Sequence, residues 1–168
     1  TLTNYGARVY PVAHVFYAQG RPTNLITWQN FAARAGAAAT TWNYDPTNGL
    51  LRSKVYADGK GTTNTYTPGR RPRTRIWARG ITTTYETNAA GQTFATTYSD
   101  GATPAVTNYF DRLGSVTNIV DGAGSRFFTY DSAGRLLMET NASGVLSNVA
   151  LVYGYDSLGR RTSVQSQV

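Results

Sequence analysis

The sequence repeats itself, and the repeat constrains the fold more than any other feature of the chain. Cutting after each glycine that closes a turn gives segments 40–59, 60–80, 81–101, 102–122, 123–144 and 145–168. A weaker copy precedes them in HisValPheTyrAlaGlnGlyArgProThrAsnLeuIleThrTrp (14 to 28). Each copy has a threonine-rich and aromatic stretch, an aromatic followed by an acid or polar residue, and two or three turn residues. A glycine, often an arginine, and a second such stretch complete it. Alternating apolar and β-branched residues around a glycine turn describe one β-hairpin per copy.

The anchor aromatics are Phe16, Tyr44, Tyr66, Tyr85, Phe110, Tyr130 and Tyr155, and Asp45, Asp111, Asp131 and Asp156 directly follow four of them. The turn glycines are Gly20, Gly49, Gly69, Gly91, Gly114, Gly134 and Gly159. Glycine supplies the positive φ that a tight hairpin demands, and aspartate accepts hydrogen bonds from turn amides two residues on. Arg21, Arg70, Arg135 and Arg160 follow their glycines. There a guanidinium is placed to pair with the aspartate of its own or a neighbouring turn, and its stem to cover an aromatic face. The anchors are expected to pack against neighbouring hairpins, so that Tyr130→Ala costs about 3 kcal/mol or more for a fully buried ring.

Some copies depart from the pattern. PheTyrAlaGlnGlyArg (16 to 21) has tyrosine in the acid slot, and TyrAspProThrAsnGly (44 to 49) has one extra turn residue. TyrThrProGlyArg (66 to 70) reads as lacking a turn residue, and TyrGluThrAsnAlaAlaGly (85 to 91) as longer, with glutamate after its anchor. Helical signals are scarce. The alanine-rich TrpGlnAsnPheAlaAlaArgAlaGlyAlaAlaAla (28 to 39) reads as an insertion, a short helical turn or a loop, interrupted by Gly36. The predicted organisation is a single repeat array over 1–168. Its units are about 1–39 (degenerate, with the insertion 28–39), 40–59, 60–80, 81–101, 102–122, 123–144 and 145–168.

Lysine and arginine outnumber aspartate and glutamate 16 to 9, a net charge of +7 that favours acidic partners. The densest basic stretch is GlyArgArgProArgThrArgIleTrpAlaArgGly (69 to 80). It falls inside the period and reads as the second strand of its unit. Arg71, Arg73, Arg75 and Arg79 are expected to form a stripe on one strand face, with Thr74, Ile76, Ala78 and Trp77 on the other. Single-stranded nucleic acid is held by a basic groove together with stacking aromatics, so specific nucleic-acid recognition is not predicted. A solvent- or lumen-facing stripe is, and an acidic glycan is the polyanion it would suit, with tyrosine faces stacking on the sugar.

The chain has no cysteine, which excludes disulfides, thiolate metal sites and a cysteine nucleophile. His14 is the one histidine and reads as a strand residue. The aspartates recur once per copy, so they line up along a sheet instead of converging as a catalytic pair or clustering as calcium ligands. No phosphate-binding loop or nucleophile elbow is present. No enzymatic activity, metal or cofactor is predicted. No apolar run reaches the length of a membrane span. Asn141-Ala-Ser fits the glycosylation pattern and reads as chance. The opening at Thr1 and the polar end SerValGlnSerGlnVal are those expected of a processed product or an interior portion of a longer polypeptide.

The units TyrAspSerAlaGlyArgLeu (130 to 136) and TyrAspSerLeuGlyArgArg (155 to 161) resemble the YD repeat of the RHS family, whose signature is tyrosine, aspartate, two residues, glycine, arginine. PheAspArgLeuGlySer (110 to 115) matches with phenylalanine first, and the resemblance runs from about residue 14 to 168. It implies an all-β fold of tandem hairpins in a spiralling antiparallel sheet, an arc of a β-shell or an open solenoid. In bacterial RHS and toxin-complex proteins such a shell encloses a toxic domain, and teneurins carry a similar one. Implied here are shell wall around a cargo or toxin domain, or a self-assembling extracellular structure. The implied partners are the rest of a longer RHS-like chain or further copies, and the implied location is extracellular or cell-surface. An adhesion module that binds carbohydrate or polyanion is the alternative. RHS proteins often carry a self-cleaving aspartyl protease with an AspProXaaGly signature. Asp45-Pro46 is followed by ThrAsnGly, one residue too long, and reads as a turn.

Overall fold

The computed structural model describes residues 2–3 and 12–167. Most of the region before Ala13, and with it the start of the degenerate first unit, lies outside the described residues. The chain divides into two compact units, Thr1–Thr82 and Thr83–Val168.

The first unit contains β1 (Leu2–Thr3), β2 (Ala13–Phe16), β3 (Pro22–Asn30), β4 (Ala35–Tyr44), β5 (Leu51–Val55), β6 (Gly61–Tyr66) and β7 (Pro72–Ile76). Each strand pairs antiparallel with the next. The second unit takes in β8 (Thr82–Thr87), β9 (Thr93–Tyr98), β10 (Val106–Phe110), β11 (Val116–Asp121) and β12 (Gly124–Tyr130). It continues through β13 (Leu136–Asn141), β14 (Ala150–Tyr155) and β15 (Arg161–Gln167), again paired in chain order. No helix occurs among the described residues, and the all-β hairpin sheet is the predicted class.

The alanine-rich segment is neither a helical turn nor, apart from its reversal, a loop. It forms most of the β3–β4 hairpin, with Trp28 opposite Ala37, Ile26 opposite Ala39 and Asn24 opposite Thr41. The chain reverses at residues 31–34, where Arg34 donates its N–H to the Phe31 carbonyl (3.0 Å) and takes a φ of 51°. Alanine's helical preference is worth only a few tenths of a kcal/mol per residue, and an isolated helix of this length is marginal. As strand, Ala35 and Ala37–Ala39 join the ladder with β3, and β4 runs on through Thr41–Tyr44 into the ladder with β5. Local propensity loses to the ladder.

Among the described residues only Ala13, Thr62 and Thr83 are buried, and elements touch only their neighbours in the chain. Neither unit folds a second layer over its sheet. Stability therefore rests on cross-strand side-chain pairs and on the turns.

Candidate functional site

The feature with the most organised chemistry is the turn joining the two strands of each repeat. In AspSerAlaGlyArg (131 to 135) the Asp131 N–H donates to the Arg135 carbonyl (2.9 Å) and the Gly134 N–H donates to the Asp131 carbonyl (3.0 Å). Gly134 has a φ of 76°. The strand register slips by one residue just before, between Thr129 and Tyr130. This is a three-residue hairpin loop closed by a left-handed residue at a β-bulge, the conformation for which glycine is the natural choice. The same two backbone bonds recur at 17–21, 56–60, 67–71, 77–81, 88–92, 111–115 and 156–160.

This pattern assigns every slot, and three predicted assignments in two turns change. In the turn 67–71 it is Arg70, with a φ of 60°, that occupies the left-handed slot, and Gly69 does not have positive φ. The pairing of Tyr66 with Pro72 sets the loop length, so the unit lacks no turn residue, and the post-glycine slot belongs to Arg71, not Arg70. In the turn 88–92 Asn88 stands in the acid slot, which puts Thr87, not Tyr85, in the aromatic slot. Glu86 is then an ordinary strand residue and the loop has normal length. Gly20, Gly49, Gly91, Gly114 and Gly159 all have positive φ, and the loop 45–50 carries the extra residue read from its sequence.

Where aspartate fills the acid slot, its side chain caps the loop. Asp131 Oδ1 accepts the amides of Ala133 and Arg135 (both 2.9 Å), and Asp156 Oδ1 those of Leu158 (3.0 Å) and Arg160 (2.8 Å). Asp111 does the same for Leu113 and Ser115. The other carboxylate oxygen takes the arginine: Arg135 Nε to Asp131 Oδ2 is 2.6 Å and Arg160 Nε to Asp156 Oδ2 is 2.7 Å. Backbone amide donors, then the guanidinium, hold Asp131 and Asp156 below the ordinary carboxyl value. Asn88 and Gln92 reproduce the arrangement without charge: Asn88 Oδ1 accepts the Gln92 amide and Asn88 Nδ2 donates to Gln92 Oε1 (2.9 Å). In Asp45 the pattern is altered, because the guanidinium on Oδ2 comes from Arg52 (2.9 Å).

The anchors tie one repeat to the one before. Tyr44 Oη donates to the Pro22 carbonyl (3.0 Å), Tyr66 to Leu51 (2.9 Å), Tyr130 to Val116 (2.8 Å) and Tyr155 to Leu136 (2.8 Å). Each acceptor opens the second strand of the preceding repeat. Phe110 has no hydroxyl, and there Asn108 Nδ2 donates to the Thr93 carbonyl (3.1 Å) at the equivalent place. These rings are half-buried, not enclosed, and Phe16 is exposed. The post-glycine residue reaches the other way. The Arg135 guanidinium lies 5.0 Å from the Tyr155 ring and Arg21 lies 5.7 Å from Tyr44. Arg21 Nη1 and Gln92 Nε2 donate to the carbonyls of Gly49 and Gly114 in the following turns, each at 2.9 Å. Spacing in the sequence signalled the turn, but nothing in it signalled these bonds between repeats.

The predicted arginine stripe does not form a single row. Arg71 belongs to a turn, Arg73 is the extra residue of the bulge, Arg75 pairs across from Asn64, and Arg79 lies in the next turn. Trp77 is not opposite them, since the Arg75 guanidinium stacks 4.0 Å from its ring. Residues 75 and 77 share strand parity, and Trp77 opens the turn. His14 lies in β2 with its ring stacked on Phe16 at 6.1 Å. No cluster of histidine and acids able to hold a metal occurs among the described residues, and no helix there is long and apolar enough to cross a membrane. Asn141 Nδ2 donates to the Val149 carbonyl (3.2 Å), a bond that glycosylation would disturb.

A ladder of hairpins closed by left-handed turn residues, four of them stitched to the preceding repeat by a tyrosine hydroxyl, defines the class of structure: a YD-type repeat sheet. Solved toxin structures contain the same fold. The crystal structure of TcdB2-TccC3-Cdc42 matches with a TM-score of 0.72 at 15% identity, over 96% of this chain and 9% of that one. TcdB2-TccC3 without its hypervariable C-terminal region gives 0.72 at 16%, over 96% and 9%. The Photorhabdus luminescens Tc holotoxin pore gives 0.69 at 15%, over 94% and 9%. The chain thus has the fold of RHS toxin-complex repeats and spans about a tenth of those chains' length. No family model matches the sequence, and neither does any curated protein.

Proposed function

We propose that this chain is a non-catalytic stretch of wall in a secreted or surface-exposed RHS-like protein, contributing to a shell around a cargo or toxin domain. The observation that carries the reading is the bond from four anchor tyrosines to the preceding repeat, because it makes one repeat a template for the next. The acids do the work of turns: each described YD aspartate spends its carboxylate on its own loop amides. A sheet with so little buried needs a covering surface, which further repeats or an enclosed domain would supply.

Light scattering on the purified chain, and on the longest chain that carries it, tests this. The expected result is a long chain that is a discrete monomer and protects an internal domain from protease, with the short chain less stable alone. Large filamentous particles formed by the short chain would replace encapsulation with self-assembly. A compact monomer whose stability is indifferent to flanking repeats would end the wall reading altogether.

A further inference from the structure

Two departures from the repeat meet in space. The first is Tyr17 in an acid slot, and the second is the extra residue in the loop 45–50. Between these successive turns lies a cleft of about 500 Å³, lined by Tyr17, Gln19, Arg21, Tyr44 and the loop Asp45–Gly49. That volume suits a small ligand.

The consequences of Tyr17 are electrostatic as well as steric. Where aspartate fills the slot, the post-glycine arginine is neutralised in its own turn, as in Asp131–Arg135 and Asp156–Arg160. Tyrosine cannot do this. Among the described residues Arg21 has no ion-pair partner; its guanidinium meets the neutral Gly49 carbonyl (2.9 Å) and the Tyr44 ring (5.7 Å). Asp45 does not cancel it, because its Oδ1 is taken by the amides of Thr47 and Asn48 and its Oδ2 by Arg52 (2.9 Å). The cleft therefore has a guanidinium with donors to spare, beside an acid already paired to Arg52.

Tyr17 itself is 51% exposed, held edge-on against Tyr44 at 6.0 Å. A ring so displayed offers an apolar face beside water, the surface on which the C–H face of a sugar stacks. Gln19 and Asn48 add planar amides suited to hydroxyl groups. We infer that the cleft between the 17–21 and 45–50 turns is a binding site for an acidic saccharide, a hexuronate, with the sugar ring on Tyr17 and its carboxylate on Arg21. The site is independent of whether the wall closes, since all its residues lie in one hairpin turn and the next.

The test is an NMR titration of the chain with tetragalacturonate, with maltotetraose as the neutral comparison. Tyr17→Asp restores the repeat's own acid, so it should keep or strengthen the turn while removing the platform and neutralising Arg21. Tyr17→Phe keeps the ring. The expected result is shifts in the amides of 17–21 and 45–49 that weaken as salt rises, roughly tenfold weaker binding in Tyr17→Asp with an undiminished melting temperature, and binding retained in Tyr17→Phe. The inference is overturned if tetragalacturonate at about 10 mM leaves those amides unmoved. Shifts confined to other turns, equal binding of maltotetraose, or undiminished binding by a folded Tyr17→Asp would overturn it equally.

Discussion

Arg70 holds a φ of 60° in a slot that glycine fills in the turns of the same pattern elsewhere in the chain. A side chain in the left-handed region costs about 1 kcal/mol or more, so Arg70→Gly should raise stability by about 1 kcal/mol in urea unfolding. The reverse experiment is available at Gly134, where an added Cβ meets nothing within 4 Å. Gly134→Ala should therefore cost about 1 kcal/mol through the backbone alone. A larger loss would mean that the turn is more crowded than its geometry indicates. The tyrosine hydroxyl can be isolated in the same way. Tyr130→Phe leaves the ring and deletes the donor to Val116, and should cost about 1 kcal/mol. Because the ring is half-buried, Tyr130→Ala should cost about 2 kcal/mol, less than full enclosure would imply.

At the scale of the hairpin, the capped turns make the fold acid-sensitive. Asp131 and Asp156 are held below the ordinary value of 3.8 chiefly by the backbone amides of Arg135 and Arg160, and Asp45 by those of Thr47 and Asn48. A carboxyl whose folded pKa is depressed stabilises the native state above its unfolded pKa and loses that contribution as pH falls through the folded value. Melting temperature should thus be level above about pH 5 and fall below it, and the double substitution Asp131→Asn and Asp156→Asn should flatten that fall. An acid limb unchanged by the pair would place the sensitivity elsewhere. These turns were legible in the sequence because their bonds are local, from an acid to amides two and four residues on. Where the sequence misled, the deciding interaction was not local. Which residue takes positive φ in ThrProGlyArg depends on Tyr66 pairing with Pro72, and the aromatic slot near Tyr85 depends on Thr87 pairing with Thr93. The alanine-rich segment became strand because its two halves pair with each other across the β3–β4 hairpin. The cleft beside Tyr17 is not legible in the sequence for a related reason: each departure is visible alone, but their adjacency is a property of the sheet.

At the scale of the molecule, described strands that within each unit touch only their chain neighbours imply stability that is a sum of repeat terms and nearest-neighbour terms. Damage in such an array stays near its source, because no distant element shares the lost contact. The Tyr130 hydroxyl joins β12 to the start of β11, and β12 pairs with β11 and β13. Tyr130→Ala should accordingly speed amide hydrogen exchange in β10 to β14 while leaving the rates in β2 to β6 unchanged. A domain with one shared core would respond differently, exchanging faster everywhere as its single unfolding free energy fell. Uniform acceleration across both units would therefore reject additive, neighbour-only coupling, whereas a graded response centred on β12 would show that the tyrosine bond acts as a link between adjacent repeats.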